Sequence, residues 1–273
     1  MPIAIDDPDD PRIEAYRAVR ERDLSGREHR FIAEGEVVLR VLARQTRFAV
    51  ESVLLGANRI EGLRDVIAIL PPGIPVYTAN RAVIDAIVGF PIHRGVLAVA
   101  RRAPLPSVAD FLGRMPETAL VLGLVGLANH DNVGGIFRNA AAFGVNGVLL
   151  DQESCDPLYR KAIRVSVGGV LTVPFTRSPS ADDMVTDLAN AGFEVLSLSP
   201  SGRETLASVR PARRTALLLG AEGPGLPPSV LARTRAIAIP MSGGFDSLNV
   251  ATTSGIALHH LSTPNERGHI ADS

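Results

Sequence analysis

The sequence predicts two α/β units in tandem, on three observations. Short apolar or β-branched runs alternate with helix-length amphipathic stretches along most of the chain. That alternation breaks at Arg101-Arg102-Ala103-Pro104-Leu105-Pro106, which follows neither period. Beyond the break the runs are almost continuously apolar, the pattern of parallel strands covered on both faces. A length of 273 residues suits two ordinary domains, at roughly 100 to 200 residues each.

Taken in order, residues 1–11 are acidic and Pro-rich and predict a disordered cytoplasmic leader, the opposite of a basic signal segment. A charged helix is expected over 13–22, ending at Leu24-Ser25-Gly26, followed by a strand from His29 into the turn at Gly35 and an amphipathic helix over 37–43. Strands over 50–55, 74–77 and 95–100, separated by helices over 61–70 and 80–88, complete a first unit at 12–102. Residues 103–118 are the expected linker, 119–264 the second unit and 265–273 an unstructured tail. Within the second unit strands are expected over 119–127, 148–150, 170–174, 194–198, 215–219 and 236–239. Helices over 133–143, 158–165 and 181–191 and a last helix before His259 and His260 alternate with them.

Composition narrows the function. With 46% apolar residues the chain can bury a core, and no apolar run approaches the roughly 18 to 20 residues of a membrane span. One cysteine, Cys155, excludes an intramolecular disulfide and reads as small apolar filler. Histidines 29, 93, 130, 259, 260 and 269 form no ligand-spaced cluster, so no metal is expected. A net charge of −1 argues against a protein that coats nucleic acid indiscriminately, yet residues 12–102 hold 15 arginines against 10 acids. Guanidinium forks suit phosphate, and the same surplus is equally a solvated, salt-bridged surface.

The most informative stretch is residues 217–261, where two Gly-rich turns separate apolar runs from a final helix. Glycines 220, 223, 225, 243 and 244 let backbone approach a ligand, at the carboxyl ends of strands where parallel sheets collect ligands. The polar residues Glu222, Ser242, Asp246, Ser247 and Asn249 share those loops. On glycine pattern alone they are equally tight connections. Asn132 at a helix entry has the chemistry of a cap, and so do Ser247 and Asn249 before the last helix.

Three motifs carry a resemblance. They are Asn129-His130-Asp131-Asn132-Val133-Gly134-Gly135-Ile136-Phe137-Arg138-Asn139-Ala140, Gly220-Ala221-Glu222-Gly223-Pro224-Gly225-Leu226, and the run from Ile239 through Ser247-Leu248-Asn249-Val250. In order and spacing the chain resembles the SpoU/TrmH family of S-adenosylmethionine-dependent RNA ribose 2′-O-methyltransferases. The first unit resembles the ribosomal-protein-like RNA-binding domain of many members, with Phe31-Ile32-Ala33-Glu34-Gly35 as landmark.

The resemblance implies a SPOUT domain with a C-terminal trefoil knot, a homodimer through the knotted region, and S-adenosyl-L-methionine bound in the Gly-rich loops. Carried over residue by residue, the cofactor site is Leu218, Gly220, Ala221, Gly223, Ile239, Met241, Ser247 and Leu248. The implied catalytic set is Arg138, Asn132, Glu222, Ser247 and Asn249, with Arg138 activating the ribose hydroxyl and Glu222 ordering Asn132 and Arg138. An arginine is normally protonated, so orienting phosphate and stabilising alkoxide is the physically easier role. Ribosomal RNA is the expected substrate ahead of transfer RNA.

Two departures stand out. Ala251-Thr252-Thr253-Ser254 replaces the Ser-Val-Ala-Ala of many relatives, placing hydroxyls on the last helix, and Asn129-His130 replaces a common Asp-Pro. A non-catalytic RNA-binding or ribosome-assembly protein is the alternative from a different class. A dinucleotide oxidoreductase fits poorly, because Gly134 and Gly135 do not form GxGxxG after a strand.

Overall fold

In the computed structural model, residues 2–17, 29–88, 95–242 and 247–262 are described. The chain separates into two compact units, residues 1–104 with 156–172, and residues 105–155 with 173–273. Asp156–Thr172 thus packs with the first unit although it follows the second unit's opening strands in sequence.

The first unit is built on a mixed five-stranded sheet in the order β1-β4-β3-β5-β2. Its strands are β1 (Ile3–Ile5), β2 (Arg30–Glu34), β3 (Ala49–Gly56), β4 (Val76–Ala79) and β5 (Val96–Arg101). β5 lies between β3 and β2 and is antiparallel to both, while β3, β4 and β1 run parallel. The helix Glu36–Arg44 buries Val38, Leu39 and Leu42 at the i, i+1, i+4 spacing of an amphipathic face, and Arg40 reaches back to Glu36 one turn earlier. Tyr16 is fully buried, its hydroxyl 2.7 Å from Ser52 Oγ, and burial pushes its ionisation well above the ordinary range.

The expected disordered leader is corrected here. Ile3–Ile5 forms β1, parallel to β4, with Ile5 only 1% exposed. Three residues between acids and prolines give too short a run for periodicity to register, so partner strand β4 supplies the order. The expected 13–22 helix begins as a 3₁₀ turn Pro11–Ile13 and continues as Glu14–Arg17; its remainder and the 24–26 stop lie outside the described residues.

The second unit is an all-parallel seven-stranded sheet in the order β10-β12-β9-β11-β6-β7-β8. The strands are β6 (Ala119–Val125), β7 (Gly147–Leu150), β8 (Phe175–Arg177), β9 (Glu194–Leu198), β10 (Glu204–Thr205), β11 (Arg214–Gly220) and β12 (Arg235–Ala238). Helices from both flanks bury it, which explains the near-continuous apolar strands. Gly123 inside β6 is a packing requirement: a Cβ there would lie 2.6 Å from Met184 Sδ and closer still to Leu218 Cδ2. Phe137 and Phe175 meet edge to face at 5.8 Å, fixing the helix His130–Ala142 against β8.

Two further expectations change. The apolar run at 170–174 is not a strand; Gly169–Thr172 is a helical turn and β8 starts at Phe175. Leu171 N–H donates to Gly168 O and Val170 N–H to Ser166 Oγ, local bonds that a run too short to show a period could not announce. The expected linker at 103–118 contains the helix Val108–Gly113, capped by Ser107 and burying Phe111 and Leu112. The tail after Pro264 lies outside the described residues.

Candidate active site

Because every strand of the second sheet runs the same way, the loops after β9, β11 and β12 emerge at one edge, the carboxyl edge. There they and the start of the helix Val250–Ser262 enclose a cleft of about 450 Å³. β9 contributes Leu198 and the following Ser199 and Pro200; β11 contributes Leu219 and Gly220, then Ala221, Glu222, Gly223 and Gly225. Ile239 and Met241 come from the loop after β12, and Ser247, Leu248, Asn249, Val250 and Thr253 from the approach to the last helix and its first turn.

The β11 loop is closed by its own backbone. Gly225 N–H donates to Ala221 O at 2.9 Å, and Gly223 and Gly225 hold φ of 88° and 70°, the left-handed region open to glycine. At Gly220 a Cβ would meet Leu226 N at 2.5 Å and the Gly225 carbonyl carbon closer still, so the returning chain fits only against bare backbone. Glu222 is thereby held at the tip of a rigid turn.

Asn249 is the hub of the polar cluster. Its Oδ1 accepts from Ala251 N–H at 2.9 Å and Thr252 N–H at 3.2 Å, capping the last helix. Its Nδ2 donates to Asn132 Oδ1 at 2.8 Å and to Glu222 Oε1 at 3.2 Å. Both ends of the carboxamide are used, so its orientation is over-determined. Asn132 is buried; its Oδ1 accepts from Asn249, and its Nδ2 donors are unused among the described residues.

The expected cap at Asn132 is corrected. Asn129 caps the helix His130–Ala142, its Oδ1 accepting from Asp131 N–H at 2.8 Å, and Asn132 sits inside the first turn facing Asn249. The reason is positional: the helix starts three residues earlier than its apolar run. Of Ser247 and Asn249, Asn249 makes the cap bonds to the last helix.

The two motif-bearing helices are stapled by small and polar groups. Gly135 faces Ala251, and Asn139 Nδ2 donates to Ala251 O at 2.7 Å and to Ser254 Oγ at 2.9 Å. Ser254 is thus the buried hydroxyl of the unusual Ala-Thr-Thr-Ser run. Helical geometry places Arg138 off that seam: it is exposed, has no hydrogen-bond or ion-pair partner among the described residues, and does not line the cleft of its own chain.

The structure therefore brings together Asn132, Glu222 and Asn249, and lines the cleft with Ser247 and the expected cofactor residues Gly220, Ala221, Gly223, Ile239, Met241 and Leu248. Leu218 does not join them; it is fully buried within the sheet's core, because side chains alternate along β11. Gly243, Gly244 and Asp246 lie outside the described residues. Sequence reading missed Ser199 and Pro200, although Ser-Pro-Ser-Gly directly after an apolar strand marks a loop at the ligand-binding edge. It also missed Val250 and Thr253, which belong to the helix and give no loop signal. Among the described residues no group of three or more His, Cys, Asp or Glu is placed to hold a metal, and no helix is long and apolar enough to cross a membrane.

Comparison with known proteins adds three findings. The profile of the SpoU rRNA Methylase family matches residues 119–259. An uncharacterised tRNA/rRNA methyltransferase of Mycobacterium bovis is 40% identical over 264 residues, covering 93% of this chain and 89% of that protein. Among solved structures, an AdoMet-bound rRNA methyltransferase from Sinorhizobium meliloti superposes with a TM-score of 0.79 at 24% identity, covering 99% of each chain. An RNA 2′-O ribose methyltransferase superposes at 0.75, also 24% identical, covering 95% of this chain and 98% of that one.

Proposed function

Because the chain belongs to the SpoU rRNA Methylase family, we propose that it moves a methyl group from S-adenosyl-L-methionine to a ribose 2′-hydroxyl of RNA, with ribosomal RNA ahead of transfer RNA. The observation that carries this reading is the convergence of Asn132, Glu222 and Asn249 beside a cleft walled by glycine backbone and apolar side chains. The cleft suits the donor: Leu198, Leu219, Ile239, Met241 and Leu248 offer apolar surface for an adenosyl group, and the bare backbone around Gly220 offers N–H and C=O groups at close range.

When bound, the donor supplies an electrophilic methyl on a sulfonium. The protein's task is to present the ribose oxygen in line with that carbon and to accommodate the proton the hydroxyl loses as its O–C bond forms. Asn132, left with donor capacity, stabilises negative charge gathering on the ribose oxygen. Glu222 keeps one carboxylate oxygen outside its bond to Asn249 and, at the rim of the cleft, serves as acceptor for a proton or a ribose hydroxyl. Arg138, exposed and unpaired among the described residues, grips a phosphate next to the target ribose and orients it. In this reading the C-terminal segment is threaded as a trefoil knot and two subunits pair through that region, with Ile256, 42% exposed on the last helix, in the contact.

The test is transfer of labelled methyl from S-adenosyl-L-methionine to ribosomal RNA and to transfer RNA, each beside a version lacking the target 2′-hydroxyl. Label is expected on ribosomal RNA and absent from the deoxy form. Equal labelling of both forms would overturn ribose methylation, and labelling confined to transfer RNA would overturn the choice of substrate.

A further inference from the structure

Thr253 stands one turn into the helix Val250–Ser262 and lines the cleft, at a position where the family resemblance leads one to expect alanine. Its Oγ1 donates to Asn249 O at 2.8 Å, and its own N–H donates to the same carbonyl at 2.9 Å. The Leu248 carbonyl lies 3.5 Å from the same hydroxyl, at the limit of a second bond. A threonine hydroxyl has one proton and two lone pairs, so with the proton held by Asn249 O it offers the cleft an acceptor.

Few neighbouring side chains offer a comparable acceptor: the others are the Ser247 hydroxyl and the second carboxylate oxygen of Glu222. The Asn249 carboxamide is used at both ends, by Ala251 N–H and Thr252 N–H on one side and by Asn132 and Glu222 on the other. Ser199 Oγ is paired with Ser201 Oγ at 2.9 Å. Leu198, Leu219, Ile239, Met241 and Leu248 have no polar atom in their side chains. Glu222 has one carboxylate oxygen engaged by Asn249 Nδ2 at 3.2 Å.

We propose that Thr253 is a specificity-determining residue of the methyl-donor site, its hydroxyl oxygen accepting a hydrogen bond from an N–H group of the bound donor. This rests on the methyl-donor reading of the cleft. S-Adenosyl-L-methionine carries two such groups, the exocyclic amine of adenine and the α-ammonium, and 5′-deoxy-5′-methylthioadenosine carries only the first.

The test is calorimetric titration of both compounds into the wild-type protein, Thr253→Val and Thr253→Ser, with Thr252→Val as an exposed control on the same helix. Valine keeps the shape and removes the oxygen; serine keeps the oxygen. Loss of one such bond is expected to weaken S-adenosyl-L-methionine about tenfold in Thr253→Val, with Thr253→Ser and Thr252→Val within about twofold of wild type. An equal loss for methylthioadenosine assigns the adenine amine, and a loss confined to S-adenosyl-L-methionine assigns the ammonium. In methyl transfer, KM for the donor should rise while kcat at saturation holds within about twofold.

Wild-type affinity in Thr253→Val for both compounds would overturn the proposal. So would Thr253→Ser binding as weakly as Thr253→Val, which would assign the effect to shape. A fall in kcat with affinity unchanged would also overturn it, reducing Thr253 to a brace for Asn249. A wild-type protein that bound neither compound would sink the methyl-donor reading itself, a result distinct from all of these.

Discussion

The arginines of the first unit and Arg138 of the second are used in opposite ways, although Arg213, Arg233 and Arg235 of the second unit also pair with acids. In the first, Arg12 and Arg17 meet Asp10 and Asp9, Arg30 and Arg101 share Glu51, and Arg40 and Arg59 share Glu36. Arg64 and Arg81 pair with Glu61 and Asp85, Arg102 with Asp156, and Arg44 stands exposed at a helix end. In the second unit Arg138 is exposed without a partner among the described residues, directly before Asn139 of the staple. An arginine surplus counted from sequence is therefore not a free positive surface. Position relative to acids decides whether a guanidinium is available to phosphate.

That contrast can be broken or sharpened by substitution. The largest effect is expected at Gly220→Ala, where the new Cβ meets backbone that cannot rotate away; affinity for S-adenosyl-L-methionine should fall by about 100-fold or more in calorimetry. Arg138→Ala should lower kcat by roughly 10² to 10³ with donor affinity and melting temperature unchanged, since it removes an exposed charge that has no hydrogen-bond or ion-pair partner among the described residues. Wild-type turnover would erase the distinction between Arg138 and the acid-paired arginines.

Asn249→Asp separates capping from catalysis. Aspartate still caps the last helix, but a carboxylate replaces the donor facing Asn132 Oδ1 and Glu222 Oε1. We expect turnover to drop about 100-fold while the protein's stability changes by less than about 1 kcal/mol in urea unfolding. In the first unit, Glu51→Gln removes the carboxylate that Arg30 and Arg101 share and should tighten RNA binding, with a salt dependence steeper by about one ion.

The smallest effect is acid titration. Asp10 is held down to about 2, first by its hydrogen bonds from Arg12, and the Arg235 guanidinium holds the Glu204 carboxyl below the usual range. A depressed folded value stabilises above the unfolded carboxylate range and is lost as pH falls through the folded one. Carboxyl NMR should therefore show Asp10 ionised until about pH 2, and Arg235→Gln should return Glu204 to ordinary titration.

Much of the fold was legible because parallel strands advertise themselves as apolar runs, as in Leu217, Leu218 and Leu219. β1 was not, because three residues gain order only from β4 seventy residues on, and the 170–174 run was misread because a buried turn and a buried strand share a composition. At the site, motif spacing led to Glu222, Asn132 and Asn249, whose bonds span 27 and 117 residues. What spacing could not give was direction: Leu218 and Leu219 are neighbours in sequence and both are buried, yet only Leu219 borders the cleft.

The strand order has a bearing on how the second unit is made. β11 lies between β9 and β6, paired residue for residue with a strand about ninety-five positions upstream. As the ribosome delivers the chain from its amino end, β6, β7 and β8 emerge first, and the flank of β6 that β11 will occupy stays unzipped until residue 220 is out. Nascent chains of this protein carry a sticky, half-built ledge for most of the second unit's synthesis, the stage at which a chaperone would find most to hold.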